Sequence, residues 1–122
     1  MRYVYDTNKE VLRDLLYFNK GKGVQTHRPV KVKGKQGKLL TLLSDGESHT
    51  YEEICEFLWG LEVVTYKKTK GKSKIIDRRT AMSRVRVVAS RMQREIRTFE
   101  IYLKHKWGIG IKLVGKEEIW LE

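Results

Sequence analysis

The segment from Asp77 to Phe99 constrains this chain more than any other. Met82, Val85, Ala89, Met92, Ile96 and Phe99 step by 3, 4, 3, 4 and 3 residues, the spacing that aligns side chains on one face of an α-helix. Around that stripe stand Arg78, Arg79, Arg84, Arg86, Arg91, Arg94 and Arg97, against two acids, Asp77 and Glu95. Such a helix buries one face in a core and leaves the other, cationic face free. Guanidinium forks suit guanine edges and phosphates.

The charge of the whole chain follows the same division. Net charge is +11 over 122 residues. Residues 62–116 hold 16 Lys/Arg and 4 Asp/Glu, a balance of +12, and the remainder balances to −1. A merely solvated basic face is the bland reading. A surface laid against phosphates accounts for the asymmetry, because each neutralised phosphate releases condensed counterions. An anionic membrane surface is the lesser rival. No apolar run reaches the roughly 18–20 residues of a membrane span, and the first residues have no apolar signal region. Cys55 is the single cysteine, so no intrachain disulfide can form. Together these predict a cytoplasmic protein.

The length suits one domain, 1–122, in three parts. Residues 1–33 read as strands and turns: Arg2–Tyr5 alternates, Asp6–Lys9 is a turn cluster, Glu10–Arg13 returns, and Val30–Val32 alternates after Pro29. Leu15–Phe18 is too short to classify by period, and Gly21-Lys22-Gly23 breaks the chain. Residues 35–99 read as a three-helix core. The first helix, about Lys35 to Ser44, carries Leu39, Leu40, Leu42 and Leu43. The second, about Tyr51 to Trp59, opens on a capping box of Thr50 and Glu53 and stops at Gly60. Residues 61–76, with five lysines between Tyr66 and Lys74, read as a mobile loop that either links or touches phosphates. The third helix follows. Residues 100–122 read as a β-hairpin turning at Trp107–Gly110 and a last strand over Glu118–Leu121.

Four segments in this order are similar to the OmpR/PhoB-type winged-helix DNA-binding domains. They are Leu39-Leu40-Thr41-Leu42-Leu43; Thr50-Tyr51-Glu52-Glu53-Ile54 leading to Leu58-Trp59-Gly60; Ala89-Ser90-Arg91-Met92-Gln93-Arg94-Glu95-Ile96; and Trp107-Gly108-Ile109-Gly110-Ile111-Lys112-Leu113. The resemblance implies an α+β winged helix-turn-helix: an N-terminal antiparallel sheet, a three-helix core and a C-terminal hairpin wing at 101–114. It implies that helix 77–99 enters the major groove with Ser83, Arg86, Val87 and Ser90 facing bases. Arg79, Arg84, Arg91 and Arg94, with Lys104, Lys106 and Lys112 of the hairpin, would meet phosphate. Val87 lies off the apolar stripe and either touches a thymine methyl or packs on the rim of the core. Trp107 departs from the family's basic wing residue and Ile111 from its tyrosine, and the 61–76 loop is longer and more basic. Such segments are usually fused to a receiver domain in that family, and none is expected here.

Enzyme motifs fail on spacing. Gly34-Lys35-Gln36-Gly37-Lys38 would need a glycine at Val32 to make a phosphate loop. Gly108-Ile109-Gly110 sits between strands, not ahead of a helix. His27, His49, His105 and Cys55 lack metal-ligand spacing. The expectation is therefore no enzyme, no catalytic residue, no metal and no cofactor. It is a sequence-specific binder of double-stranded DNA acting in transcription regulation, on DNA as a weak homodimer, with RNA polymerase as a further partner. The second reading is a protein-interaction module docking on RNA polymerase or a replication protein. A third, an RNA binder, is disfavoured because the aromatics fall at alternating positions suited to burial rather than to a stacking platform.

Overall fold

The computed structural model describes residues 2–17, 26–64, 75–115 and 119–122. Its elements are, in chain order, β1 (Tyr3–Asp6), β2 (Val11–Asp14), β3 (Val30–Lys31), α1 (Gly34–Leu43), β4 (His49–Thr50), α2 (Tyr51–Trp59), β5 (Glu62–Val64), β6 (Ile75–Asp77), α3 (Arg78–Ile96), a 3₁₀ turn (Arg97–Phe99), β7 (Ile101–Lys106), β8 (Gly110–Gly115) and β9 (Ile119–Leu121). The fold is mixed α+β. Among the described residues there are three helices and three sheets, with strand orders β3-β2-β1-β9, β4-β8-β7 and β5-β6.

The helices form where periodicity and capping place them. Thr50 Oγ1 accepts from the Glu53 amide at 3.1 Å and so satisfies one orphan donor of α2. The reciprocal half of the expected box is replaced: the Glu53 carboxylate pairs with His49 Nδ1 at 3.0 Å. Gly60 ends the helix in the left-handed region, φ 66°, its amide donating to the Glu56 carbonyl at 2.7 Å. Lys35 Nζ on α1 donates to the Leu58 carbonyl at 2.5 Å, covering another of the last carbonyls of α2. The regular α-helix of α3 ends at Ile96, three residues short of the expected Phe99, and a 3₁₀ turn completes it.

The core gathers on α3. Val85, Ala89, Met92 and Ile96 are fully buried among Leu39, Leu40 and Leu43 of α1 and Ile54 and Leu58 of α2. Phe99 extends it to the N-terminal sheet, its ring centroid 5.3 Å from Tyr3 and 5.3 Å from the buried His27. Beneath them Asp14 is buried as a carboxylate. Burial alone would raise its pKa; hydrogen bonds from Arg2 (3.1 and 3.2 Å) and from the Leu16 and His27 amides override that and hold it below the usual range.

Three pairings differ from what the sequence suggests. The last strand, expected to accompany the hairpin, instead lies parallel to β1, pairing Tyr3 with Ile119 and Tyr5 with Leu121. The N-terminal sheet is therefore mixed, not wholly antiparallel, and β1 is an interior strand with Tyr3, Val4 and Tyr5 all buried. Residues 61–76 are not one loop. Glu62–Val64 and Ile75–Asp77 pair as parallel strands leading out of α2 and into α3, whereas the five lysines lie outside the described residues. The short strand β4, unread in the sequence, pairs with β8. Alternation identifies a strand but says nothing of its partner, and two- or three-residue strands leave almost no alternation to read. The Gly21-Lys22-Gly23 break also falls outside the described residues.

Two close contacts lock these layers. Tyr5 Oη donates to the Val32 carbonyl at 2.6 Å; burial, then Glu10, Glu95 and Asp6, push its phenol up to about 12. Gly37 packs directly on that pair: a Cβ there would lie 2.2 Å from Tyr5 Oη and 2.5 Å from the Val32 oxygen. Gly37→Ala is expected to destabilise the fold by roughly 1–3 kcal/mol through overpacking, and an unchanged urea midpoint would refute this. His49 Nε2 meets Asp45 at 2.9 Å while Nδ1 meets Glu53. Burial of the imidazole lowers its pKa, but the hydrogen bonds to Asp45 and Glu53 outweigh it, and the net shift is upward. The stabilisation from His49⁺ is then fully present below its ordinary value of 6.5 and disappears as pH rises through the raised value. Comparing urea midpoints of wild type and His49→Gln across pH 5–9 is expected to show the gap closing with rising pH; a constant gap contradicts it.

Candidate nucleic-acid interface

α3 begins cleanly. Asp77 Oδ2 accepts from the Thr80 amide at 3.1 Å and Oδ1 from the Thr80 hydroxyl at 2.6 Å. These two hydrogen bonds hold its carboxyl below the usual range. The helix then runs 19 residues to Ile96. Projected at about 100° per residue, Arg79, Ser83, Arg84, Arg86, Val87, Ser90, Arg91 and Arg94 fall within about 160° of one another. All are exposed. The buried residues Ala81, Val85, Val88, Ala89, Met92 and Ile96 lie roughly opposite. Arg79, Arg84, Arg86, Arg91 and Arg94 make no ion pair among the described residues. Five neighbouring guanidinium groups without counter-charges form a strongly positive surface. Val87 is 50% exposed in the middle of it, so it stands outside the core.

The hairpin lies along α3 and is fastened to it at both ends. Near the helix C-terminus, Gln93 Oε1 accepts from the Leu103 amide at 2.6 Å. At the N-terminus, Arg78 donates from Nε to Glu52 at 3.0 Å and from Nη2 to the Gly108 carbonyl, joining α3, α2 and the hairpin turn. The Tyr51 amide donates to the Ile109 carbonyl at 3.1 Å. Gly110 lies so close to β4 that a Cβ would sit 2.1 Å from the His49 oxygen. Both members of the Arg78–Glu52 pair are exposed, so the pair adds little stability; its role is to position the turn.

Between these fastenings a shallow cleft of about 510 Å³ runs between α3 and β7, lined by Arg86, Ser90, Gln93, Arg94, Tyr102 and His105 among others. Arg86 sits over the Tyr51 ring, 5.9 Å from its centroid. Burial and the nearby Arg86 charge push the His105 imidazole down. A second depression of about 340 Å³ lies over Arg86, Val87, Ser90, Arg91 and Arg94.

The residues expected to face bases or phosphate on α3 are thus brought together. The hairpin lysines are not all with them. Lys104 and Lys112 are cross-strand partners in the β7–β8 ladder and line a different cleft, of about 810 Å³, beside Asp45 and Gly46 at the end of α1. Lys106 is exposed next to the hairpin turn. Arg78, Gln93 and Tyr51 carry the geometry of the surface, yet sequence reasoning assigned them no role. Their partners lie 10 to 58 residues away in the chain, beyond any local pattern. Among the described residues no cluster of three or more His, Cys, Asp or Glu could hold a metal ion, and no helix is long and apolar enough to cross a membrane. Cys55 is buried, which pushes its thiol up and away from reactivity.

Comparison with protein-family models, with curated proteins and with solved structures finds no match to this chain.

Gln93→Ala is expected to leave the Leu103 amide without its acceptor, to cost roughly 1–3 kcal/mol, and to speed hydrogen exchange at Leu103. Gln93→Glu, which keeps an acceptor oxygen, is expected to restore most of both. Equal exchange rates in wild type and Gln93→Ala would show that the latch does not hold the hairpin.

Proposed function

We propose that this chain is a winged helix-turn-helix domain of the OmpR/PhoB type that binds double-stranded DNA in a sequence-specific way. α3 lies in the major groove, which admits one α-helix, and the β7–β8 hairpin acts as the wing. The observation that carries the proposal is the exposed face of α3: five arginines without ion-pair partners among the described residues, around Ser83, Val87 and Ser90. The sheet order β4-β8-β7 supports it, since the strand between the first two helices braces the hairpin that follows the third. The facing pair Lys104 and Lys112 supports it as well. Like charges directly opposite across a ladder repel, and a phosphate beside them would offset that repulsion.

In this reading Arg79, Arg84, Arg91 and Arg94 sit on the backbone and fix the register, and Ser83, Arg86, Val87 and Ser90 read base edges. Arg86 is held over Tyr51 and beside His105, so it reaches the groove from a supported position and not as a free chain. Transcription regulation in the cytoplasm is the process that this activity implies, and a weak homodimer on DNA is the arrangement it allows. The second reading, a module that docks on RNA polymerase or a replication protein, draws on α2: Phe57 is 47% exposed beside the exposed Glu53 and Glu56.

Selection of duplexes from a random pool, followed by titration of the chosen duplex against salt, tests the proposal. Arg86→Ala and Ser90→Ala are each expected to cost roughly 1–3 kcal/mol on the chosen duplex and to relax base choice. Arg91→Ala and Arg94→Ala are expected to weaken all duplexes alike and to flatten the salt slope by about 1 each. Negligible affinity for every duplex at low salt would end the proposal.

A further inference from the structure

The hairpin turn carries a side chain that the fold does not use. Trp107 is 89% exposed, by far the most exposed large apolar residue among those described. It makes no ring contact and no side-chain hydrogen bond among the described residues. Beside it Ile109 is 49% exposed. An indole held in water at the end of a hairpin works against solubility, and no packing contact among the described residues offsets that.

The turn that presents it is fixed. Arg78 holds the Gly108 carbonyl, the Tyr51 amide holds the Ile109 carbonyl at 3.1 Å, and the Ile109 amide closes the turn on the Lys106 carbonyl at 2.9 Å. Gly108 supplies the left-handed residue, φ 69°, that the turn needs. Gly110 is pressed against β4. An aromatic ring on such a turn binds without the ordering cost of a free loop. The turn also sits at the N-terminal end of α3, where Arg78 touches it, with Arg79 exposed on α3 and Lys106 exposed at the end of β7.

We infer that Trp107 is a wedge: its indole enters a base step of the bound duplex next to the groove that α3 occupies, unstacks that step and bends the DNA there. This rests on the duplex-binding proposal. Apolar side chains inserted between base pairs bend a duplex in this way, and an aromatic ring stacks on any base because every base has a π-face. The chemistry around the turn favours DNA over a lipid surface. A membrane-surface segment needs a broad apolar face, whereas here one indole and one isoleucine border a field of arginines and lysines that suits phosphates. Pyrimidine–purine steps, the easiest to unstack, are the expected place of entry.

The test uses the full chain and a selected duplex with donor and acceptor dyes at its ends, and in a second series 2-aminopurine at successive positions. Wild type is expected to shorten the end-to-end distance and to brighten 2-aminopurine at one step only. Trp107→Ala is expected to lose both signals and to bind roughly 5- to 150-fold more weakly, with an unchanged salt slope and an unchanged urea midpoint. Trp107→Phe is expected to recover most of both signals. If Trp107→Ala bends and brightens the duplex as wild type does, or if wild type does neither while binding tightly, the wedge is refuted and duplex binding stands. If no duplex binds even at low salt, both fail together. A blue shift of tryptophan emission on phosphatidylserine vesicles, lost in Trp107→Phe and absent with duplex, would likewise overturn the wedge and assign the turn to a membrane surface.

Discussion

Val85, Ala89, Met92 and Ile96 are all fully buried, and the elements of the fold meet on the helix that carries them. α3 touches α1, α2, β3, β5, β6 and β7. The apolar stripe must be covered from among these neighbours, because leaving it in water would forfeit roughly 25 cal/mol for every Å² exposed. Once the stripe faces inward, helical geometry leaves no choice about the other side. Arg79, Arg84, Arg86, Arg91 and Arg94 face out together, and without ion-pair partners among the described residues they present a positive field. The stability of the core and the electrostatics of the surface are two consequences of one periodicity.

The hairpin depends on that helix as well. A two-stranded ribbon is at best marginally stable by itself. β7 and β8 acquire a third strand from β4, a side-chain latch from Gln93 and a fastening of the turn from Arg78. The result is a cationic cleft along one side of α3 and a braced turn at its N-terminal end. The same arrangement divides the lysines of the hairpin. Lys104 and Lys112 are opposite each other in the ladder and line the cleft beside the end of α1, whereas His105 lines the cleft beside α3.

The ends of the described chain meet in the N-terminal sheet. The Glu122 carbonyl accepts from the Thr7 amide at 3.2 Å and hydroxyl at 3.0 Å, the Glu122 amide donates to the Tyr5 carbonyl at 2.9 Å, and the Glu122 carboxylate pairs with Arg13. These contacts make β1 an interior strand and explain why three successive residues, Tyr3, Val4 and Tyr5, are buried. They span up to 117 residues, and no local window of sequence contains both partners.

By itself the sequence determined what lies within one or two turns of a helix: the stripe and the arginine face of α3, the Thr50 cap and Gly60 stop of α2, the leucines of α1, and the place of the hairpin turn. These follow from i, i+3 and i+4 neighbours and from capping, all within a few residues. Tertiary structure alone decided which strands pair. It joined β9 to β1, β5 to β6 and β4 to β8, it carried Arg78 to Gly108 and Glu52, and it split Lys104 and Lys112 from the α3 surface. Strand pairing satisfies backbone groups that are alike at every residue, so the partner is chosen by which edge the packed helices leave open, and that is settled only when the whole core has closed.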